Sequence, residues 1–133
     1  EYQKAIECYK KLSQVQPNSA NPHQNLGKLY TVLGDIQRAI SSYQDALKYE
    51  PENLFYYYHL VDLKNEILDL NLRNKINRIL NDSNCTKKNL AYGNFLLSKY
   101  EQKSKNYKKE FDYLLKGHEY YFQTEEKKNE KLI

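Results

Sequence analysis

Residues 20–53 read ANPHQNLGKLYTVLGDIQRAISSYQDALKYEPEN, and this stretch decides the fold. Four residues of the segment before it recur 34 positions later: Ala5, Ile6, Tyr9 and Pro17 reappear as Ala39, Ile40, Tyr43 and Pro51. Self-similarity at a fixed period of this size is typical of repeat proteins, in which each repeat is one small structural unit. The sequence therefore predicts stacked copies of a 34-residue motif.

Local signals divide this motif into two helices. Asn21 is predicted to cap a helix whose first position is Pro22, since both residue types favour a helix start. Gly34 allows the helix to end, and Asp35 can cap the next one. Pro51 then prevents further helix. The motif is thus a helical hairpin.

Apolar and small residues predict how the two helices pack. The expected inward residues are Leu26, Tyr30 and Leu33 on the first helix, and Ile36, Ala39, Ile40, Tyr43 and Leu47 on the second. Gly27, Ala39 and Ala46 are small where the helices should cross closely. Tyr30 and Tyr43 are expected to fill the space beside that crossing.

The spacing of seven residues resembles the signature of the tetratricopeptide repeat: Leu26, Gly27, Tyr30, Ala39, Tyr43, Ala46 and Pro51. His23 stands where this family often has tryptophan. The resemblance implies an all-α fold, a right-handed superhelix (solenoid) of antiparallel helical hairpins. It also implies a protein–protein interaction scaffold that binds a partner peptide or domain in its concave groove, and it implies no enzymatic activity of this chain.

The rest of the chain follows the repeat less regularly, and five segments are predicted. These are 1–19, the second helix of a truncated repeat; 20–53, a complete repeat; 54–86, a degenerate hairpin with an extra short helix; 87–124, a repeat-like hairpin; and 125–133, the start of a further helix or a linker. Asn53 should cap a helix through about Leu68, with Tyr57 among its inward residues. The final hairpin is expected at about 87–103 and 106–123.

This order of regular, degenerate and repeat-like hairpins is similar to the N-terminal half of bacterial tetratricopeptide-repeat sulfotransferases. The resemblance implies an alternative function, in which the chain is the N-terminal arm of such an enzyme. The catalytic domain, which transfers sulfate from 3′-phosphoadenylyl sulfate, would then lie beyond Ile133. The final hairpin departs from the usual pattern at Ser98, Lys105 and Glu110.

In this family the first helix of each hairpin lines the groove. By register, eight residues are the candidates for partner binding: Asn21, Gln24, Lys28, Thr31, Phe55, Tyr58, Asp62 and Asn65. Phe55 and Tyr58 could anchor a peptide, or the run of aromatics at 55–58 could be core and inter-repeat packing. One helix cannot bury four consecutive side chains on one face, so at least one should be exposed. Repeats that clamp a C-terminal carboxylate use Lys and Asn at the positions of Gln24, Lys28, Tyr58 and Asp62, and only Lys28 fits.

The sequence predicts no catalytic residue, cofactor or metal. Its four glycines are isolated, whereas a phosphate loop needs several close together. Two distant cysteines, Cys8 and Cys85, favour a reduced, cytoplasmic setting over a disulfide-stabilised domain. The three histidines show no metal-ligand spacing.

Charge is unevenly distributed, with a net charge of −2 over residues 1–70 and +6 over 71–133. The densest basic segment is 99–109, with five lysines and no arginine. It is either a solvated helix end and turn or a patch for phosphate, nucleic acid or an acidic partner. The lack of arginine disfavours nucleic acid. No apolar stretch is long enough to predict a membrane span. The predicted partner is a protein or peptide, or a C-terminal catalytic domain of the same chain.

Overall fold

The computed structural model describes the backbone of residues 1–132 and the side chains of residues 1–125. Within that part the chain is entirely helical between its turns, which confirms the predicted all-α repeat fold. The helices are α1 (Tyr2–Val15), α2 (Asn21–Leu33), α3 (Ile36–Tyr49), α4 (Leu54–Leu63), α5 (Leu70–Asn81), α6 (Lys87–Lys103) and α7 (Tyr107–Leu132), with a short 3₁₀ turn at Asn65–Ile67. The chain forms two compact units, Glu1–Asn65 and Glu66–Ile133.

The core of the first unit is built from the repeat signature. Leu26 and Tyr30 of α2 pack in one cluster with Ile6 of α1 and Ala39 of α3. A Cβ atom placed on Gly27 would lie 2.7 Å from the ring of Tyr43, whose side chain is 1% exposed. Gly27 is thus required for the close crossing of α2 and α3, as predicted, and burial raises the pKa of Tyr43 to about 12.

Helix ends set by residues 20–53 follow the prediction with one exception. Gly34 ends α2 in the left-handed conformation, with φ +77°. The Asp35 carboxylate accepts a hydrogen bond from the Arg38 N–H, and the Asn53 side chain accepts one from the Phe55 N–H. Asn21 is not a cap, because the helix already begins there and Ala20 takes the cap position.

The inward stripe of the repeat is narrower than predicted. Ala39, Ile40 and Tyr43 are buried, but Leu33 and Ile36 are 48% and 42% exposed. Both lie beside the turn at Gly34, between the end of α2 and the start of α3. The prediction that these two side chains are inward is wrong.

Helix α4 also differs from the predicted span. It ends at Leu63 rather than near Leu68, since Lys64 is extended (φ −146°, ψ 94°). The extended Asp69 then caps α5 by accepting a hydrogen bond from the Leu72 N–H. Tyr56, rather than Tyr57, is the buried tyrosine of this helix, with 1% exposure.

The second unit keeps helical hairpins without the signature. Leu72, Ile76 and Ile79 of α5 are buried, and this helix, which ends at Asn81, is the extra helix expected within residues 54–86. Helix α6 matches the predicted 87–103 span. Helix α7 passes residue 124 without a break, so 125–133 does not start a separate helix in the described backbone; the side chains from residue 126 onward lie outside the described part.

Polar contacts fix α5 against α6 within this unit. The Arg73 guanidinium donates to the Glu101 carboxylate at 3.1 Å, and the Glu101 side chain is 9% exposed. The Tyr100 hydroxyl donates to the Asp69 carbonyl at 2.6 Å. Burial raises the pKa of Tyr100 to about 12, so it remains a donor at neutral pH.

Candidate partner-binding surface

Two helices of the first unit position seven of the eight candidate residues, and Asn65 lies in the 3₁₀ turn after α4. Pro22 at the start of α2 and Gly34 at its end set the length of that helix, and Asn53 starts α4. Both helices pack against α3. The eight predicted groove residues and the side chains that they contact are called here the α2–α4 surface.

None of the eight predicted groove residues is buried. Five are exposed: Asn21, Lys28, Thr31, Asp62 and Asn65. Three are half-buried: Gln24, Phe55 and Tyr58. Their accessibility is what a binding surface needs. Their role in binding stays a prediction.

Two side-chain contacts join α2 to α4 across this surface. The Lys28 ammonium lies 5.8 Å from the centre of the Phe55 ring, within the range of a cation–π interaction. The Tyr56 hydroxyl lies 3.2 Å from Gln24 Oε1, to which it can donate a hydrogen bond. The predicted surfaces of α2 and α4 are therefore adjacent in space at these contacts.

The Tyr56 hydroxyl forms hydrogen-bond contacts at the edge of the α2–α4 surface. The hydroxyl is also 3.0 Å from a Glu50 carboxylate oxygen, a second acceptor for its single proton. Burial, followed by the hydrogen bond to and the charge of Glu50, raises the pKa of Tyr56 well above its usual value. The hydroxyl therefore stays protonated and can donate at any physiological pH.

His59 is a residue of this surface that the sequence prediction missed. Its ring meets the edge of Phe55 at 4.4 Å and that of Tyr58 at 5.7 Å, and it stacks on Tyr43 at 5.3 Å. His59 therefore links the two predicted anchors to the buried ring of the repeat signature. Its position four residues after Phe55 was the available signal, since residues i and i+4 share a helix face.

The aromatic run at 55–58 divides between the core and the surface. Tyr56 is buried, while Phe55, Tyr57 and Tyr58 are half-buried. The buried position of Tyr56 agrees with core packing, while the role of Phe55 and Tyr58 as peptide anchors stays a prediction. None of the four is exposed, as was expected of at least one; the rings of Phe55 and Tyr58 meet those of Tyr56 and His59.

The surface carries one positive and one negative side chain among amides. Lys28 is the cation of α2 and Asp62 the anion of α4, and both are exposed. Asn21, Gln24 and Asn65 add side-chain amides, which both donate and accept hydrogen bonds. Such a surface suits the backbone of a peptide, whose amides alternate donors and acceptors.

Elsewhere in the chain, residues 1–125 contain no group of three His, Cys, Asp or Glu side chains that could hold a metal ion. Among the described residues, no helix combines the length and the apolar character needed to cross a bilayer. In the basic segment at 99–109, Lys103, Lys105, Lys108 and Lys109 are exposed. Its use as a polyanion patch stays a prediction.

Comparison with known families gives two overlapping matches. Residues 1–34 match the model described as TPR repeat, and residues 20–53 match the model described as tetratricopeptide repeat. Residues 1–53 resemble tetratricopeptide repeats. The matches support that family, in line with the predicted signature, and the second one has the boundaries predicted for the complete repeat.

No curated protein matches the chain. The predicted link to sulfotransferases therefore has no support beyond the resemblance in the order of hairpins, and it stays a prediction. The two repeat matches cover the α2 half of the α2–α4 surface, since α4 begins at Leu54.

Proposed function

We propose that the chain binds a peptide segment of a partner protein on the α2–α4 surface. Tetratricopeptide repeats generally mediate protein–protein interaction and are typically non-catalytic. The observation that carries the proposal is the contact between Lys28 and Phe55. It makes one continuous surface from two helices that are separated in the sequence by α3.

Different side chains of the surface are expected to make different contacts with the peptide. Phe55 and Tyr58 offer ring faces and edges for an apolar anchor of the peptide, and aromatic side chains often dominate interface energetics. Asn21, Gln24 and Asn65 can hydrogen-bond the peptide backbone. Lys28 and Asp62 carry opposite charges, which would favour one direction of a peptide that has complementary charges.

The test begins with selection of peptides from a random displayed library on the immobilised chain. Affinities of the selected peptides are then measured by fluorescence anisotropy for the wild type, Phe55→Ala and Lys28→Ala. Loss of an anchor typically costs about 2 kcal/mol or more, so Phe55→Ala should weaken binding at least about 10-fold. Lys28→Ala should weaken it less, by about 3-fold, because exposed charges contribute little.

The chain offers a matched control on its other face. Lys48 is an exposed lysine on α3, paired with Asp45 at 3.1 Å, and lies outside the α2–α4 surface. Lys48→Ala should leave peptide affinity unchanged. The proposal fails if selected peptides bind Phe55→Ala as tightly as the wild type while circular dichroism shows that variant to be folded.

A further inference from the structure

Helix α7 of the second unit carries an apolar face that the described residues leave largely exposed. Tyr107, Phe111, Leu115 and Phe122 are 65%, 62%, 50% and 62% exposed. With His118, which is also exposed, they are spaced by 4, 4, 3 and 4 residues, so they form one stripe along the helix. These five residues are called here the α7 stripe.

The adjoining face of the same helix packs on α6, and the His118 ring of the stripe meets the Phe95 ring of α6 at 5.0 Å. Gly117 is buried there, and a Cβ at this position would lie 2.5 Å from the ring of Phe95. Leu114 and Tyr120 are half-buried. The apolar arc of α7 is therefore wider than one neighbouring helix covers, and the α7 stripe is its largely exposed part.

We propose that the α7 stripe is the interface of a homodimer, in which the α7 helices of two copies pack antiparallel. The first reason is the symmetry of the stripe. Residues 111 and 118 have the same midpoint as residues 107 and 122, between Leu114 and Leu115. A two-fold axis at that point places Tyr107 of one copy opposite Phe122 of the other, and Phe111 opposite His118. Leu115 lies beside the axis.

The second reason is charge. Lys108 and Glu119 flank the stripe on one side, near its opposite ends. An antiparallel two-fold pair keeps this side of both helices on one side of the seam and brings Lys108 of each copy towards Glu119 of the other. In a parallel two-fold pair this side of each helix lies on opposite sides of the seam, so Lys108 and Glu119 do not meet. Asp112 lies on the same side but further round the helix from the stripe. The charges therefore favour the antiparallel pair over the parallel one.

The third reason is the area available. A large side chain at half exposure offers on the order of 100 Å², so the stripe offers roughly 500 Å² per copy. Two copies would bury roughly 1,000 Å², the lower limit for a specific interface. The dimer is therefore weak, and we expect it to dissociate in the micromolar range.

Sedimentation equilibrium over a range of concentrations tests the dimer. The wild type should show a monomer–dimer equilibrium, and Phe111→Glu/Leu115→Glu should weaken it by about 100-fold or more, because charges would be desolvated in the interface. Leu70→Glu is the control: Leu70 is 70% exposed at the start of α5, outside the stripe, and its replacement should leave the equilibrium unchanged. A wild type that stays monomeric at about 1 mM overturns the proposal, as does a double variant that dimerises like the wild type.

Disulfide trapping tests the orientation. With Cys8 and Cys85 replaced by Ser, Phe111→Cys and His118→Cys are made as separate proteins and mixed under mild oxidation. The antiparallel dimer predicts a cross-link between the two proteins and none within either alone, because residues 111 of two copies would be about 10 Å apart. Cross-linking of Phe111→Cys with itself would show a parallel pair and overturn the arrangement.

Discussion

Both units contain a close helix crossing in which a glycine faces an aromatic ring, but the helices that carry the two residues are exchanged. In the first, the small residue lies on the first helix of the hairpin and the ring on the second, as Gly27 and Tyr43. In the second, the ring lies on the first helix and the small residue on the second, as Phe95 and Gly117. A close helix crossing thus needs one position without a side chain facing one aromatic ring, and either helix can supply either part.

The exchange is one difference between the hairpin of α6 and α7 and the repeat that the family models match. A sequence model expects glycine and tyrosine at fixed positions of a repeat, and the two matches end at residue 53. The crossing of α6 and α7 keeps the physical contact but reverses the residues that make it. Similarity of packing therefore extends further along the chain than similarity of sequence.

Truncation of the two rings should give the largest difference between the units. Tyr43 is 1% exposed, so Tyr43→Ala leaves a cavity and should lower the free energy of unfolding by about 3–5 kcal/mol. Phe95 is half-buried, so Phe95→Ala should cost less, about 2 kcal/mol. Urea denaturation followed by circular dichroism, with hydrogen exchange to assign the loss to a unit, measures both. Equal losses would show that the two rings contribute alike.

Replacement of the two glycines by alanine tests the other partner of each crossing. A Cβ at Gly27 would lie 2.7 Å from a ring that has no room to move, and overpacking of this kind costs about 1–3 kcal/mol. Since alanine gains about 1 kcal/mol of helix propensity, which offsets part of that cost, Gly27→Ala should destabilise by up to about 2 kcal/mol. Gly117→Ala should cost about 1 kcal/mol or less, because the Phe95 ring can turn outwards, although the Ala91 carbonyl lies 3.1 Å from the new Cβ.

A double variant provides the control for the first glycine. If contact with the Tyr43 ring causes the loss, Gly27→Ala should cost less in a Tyr43→Leu background than in the wild type. An identical cost in both backgrounds would locate the strain elsewhere. The measurement is again the free energy of unfolding in urea.

Helix caps should show the smallest difference. Asp35 caps α3 with a 3.2 Å bond in the first unit, and Asp69 caps α5 with a 2.8 Å bond in the second. Replacement of either by Ala should cost about 1 kcal/mol, since each loses one capping bond. Replacement by Asn, which also caps well, should cost much less. If Asn and Ala variants melt at the same temperature, the capping bonds contribute nothing measurable.

The sequence by itself determined the helices and the hairpin of the complete repeat. The 34-residue offset, Gly34, Asp35 and Asn53 gave helix ends that the structure keeps, because caps and turns depend on residues close in the chain. The small residue at Gly27 and the large one at Tyr43 likewise indicated the crossing. The candidate surface could be predicted as a set of accessible positions, since register alone sets which face of a helix a residue occupies.

Only the tertiary structure decided which residues meet across helices. Register could not show that Tyr56 rather than Tyr57 is buried, because that depends on Gln24 and Glu50 near its hydroxyl. Nor could it show that α4 ends at Leu63, or that Phe95 fits over Gly117. Periodicity marks α7 as apolar over a wide arc, but which part of that arc is covered follows from the placement of α6. Contacts between residues that are distant in the sequence depend on how the helices fit together in three dimensions. The pattern of residues along one helix carries no information about that fit.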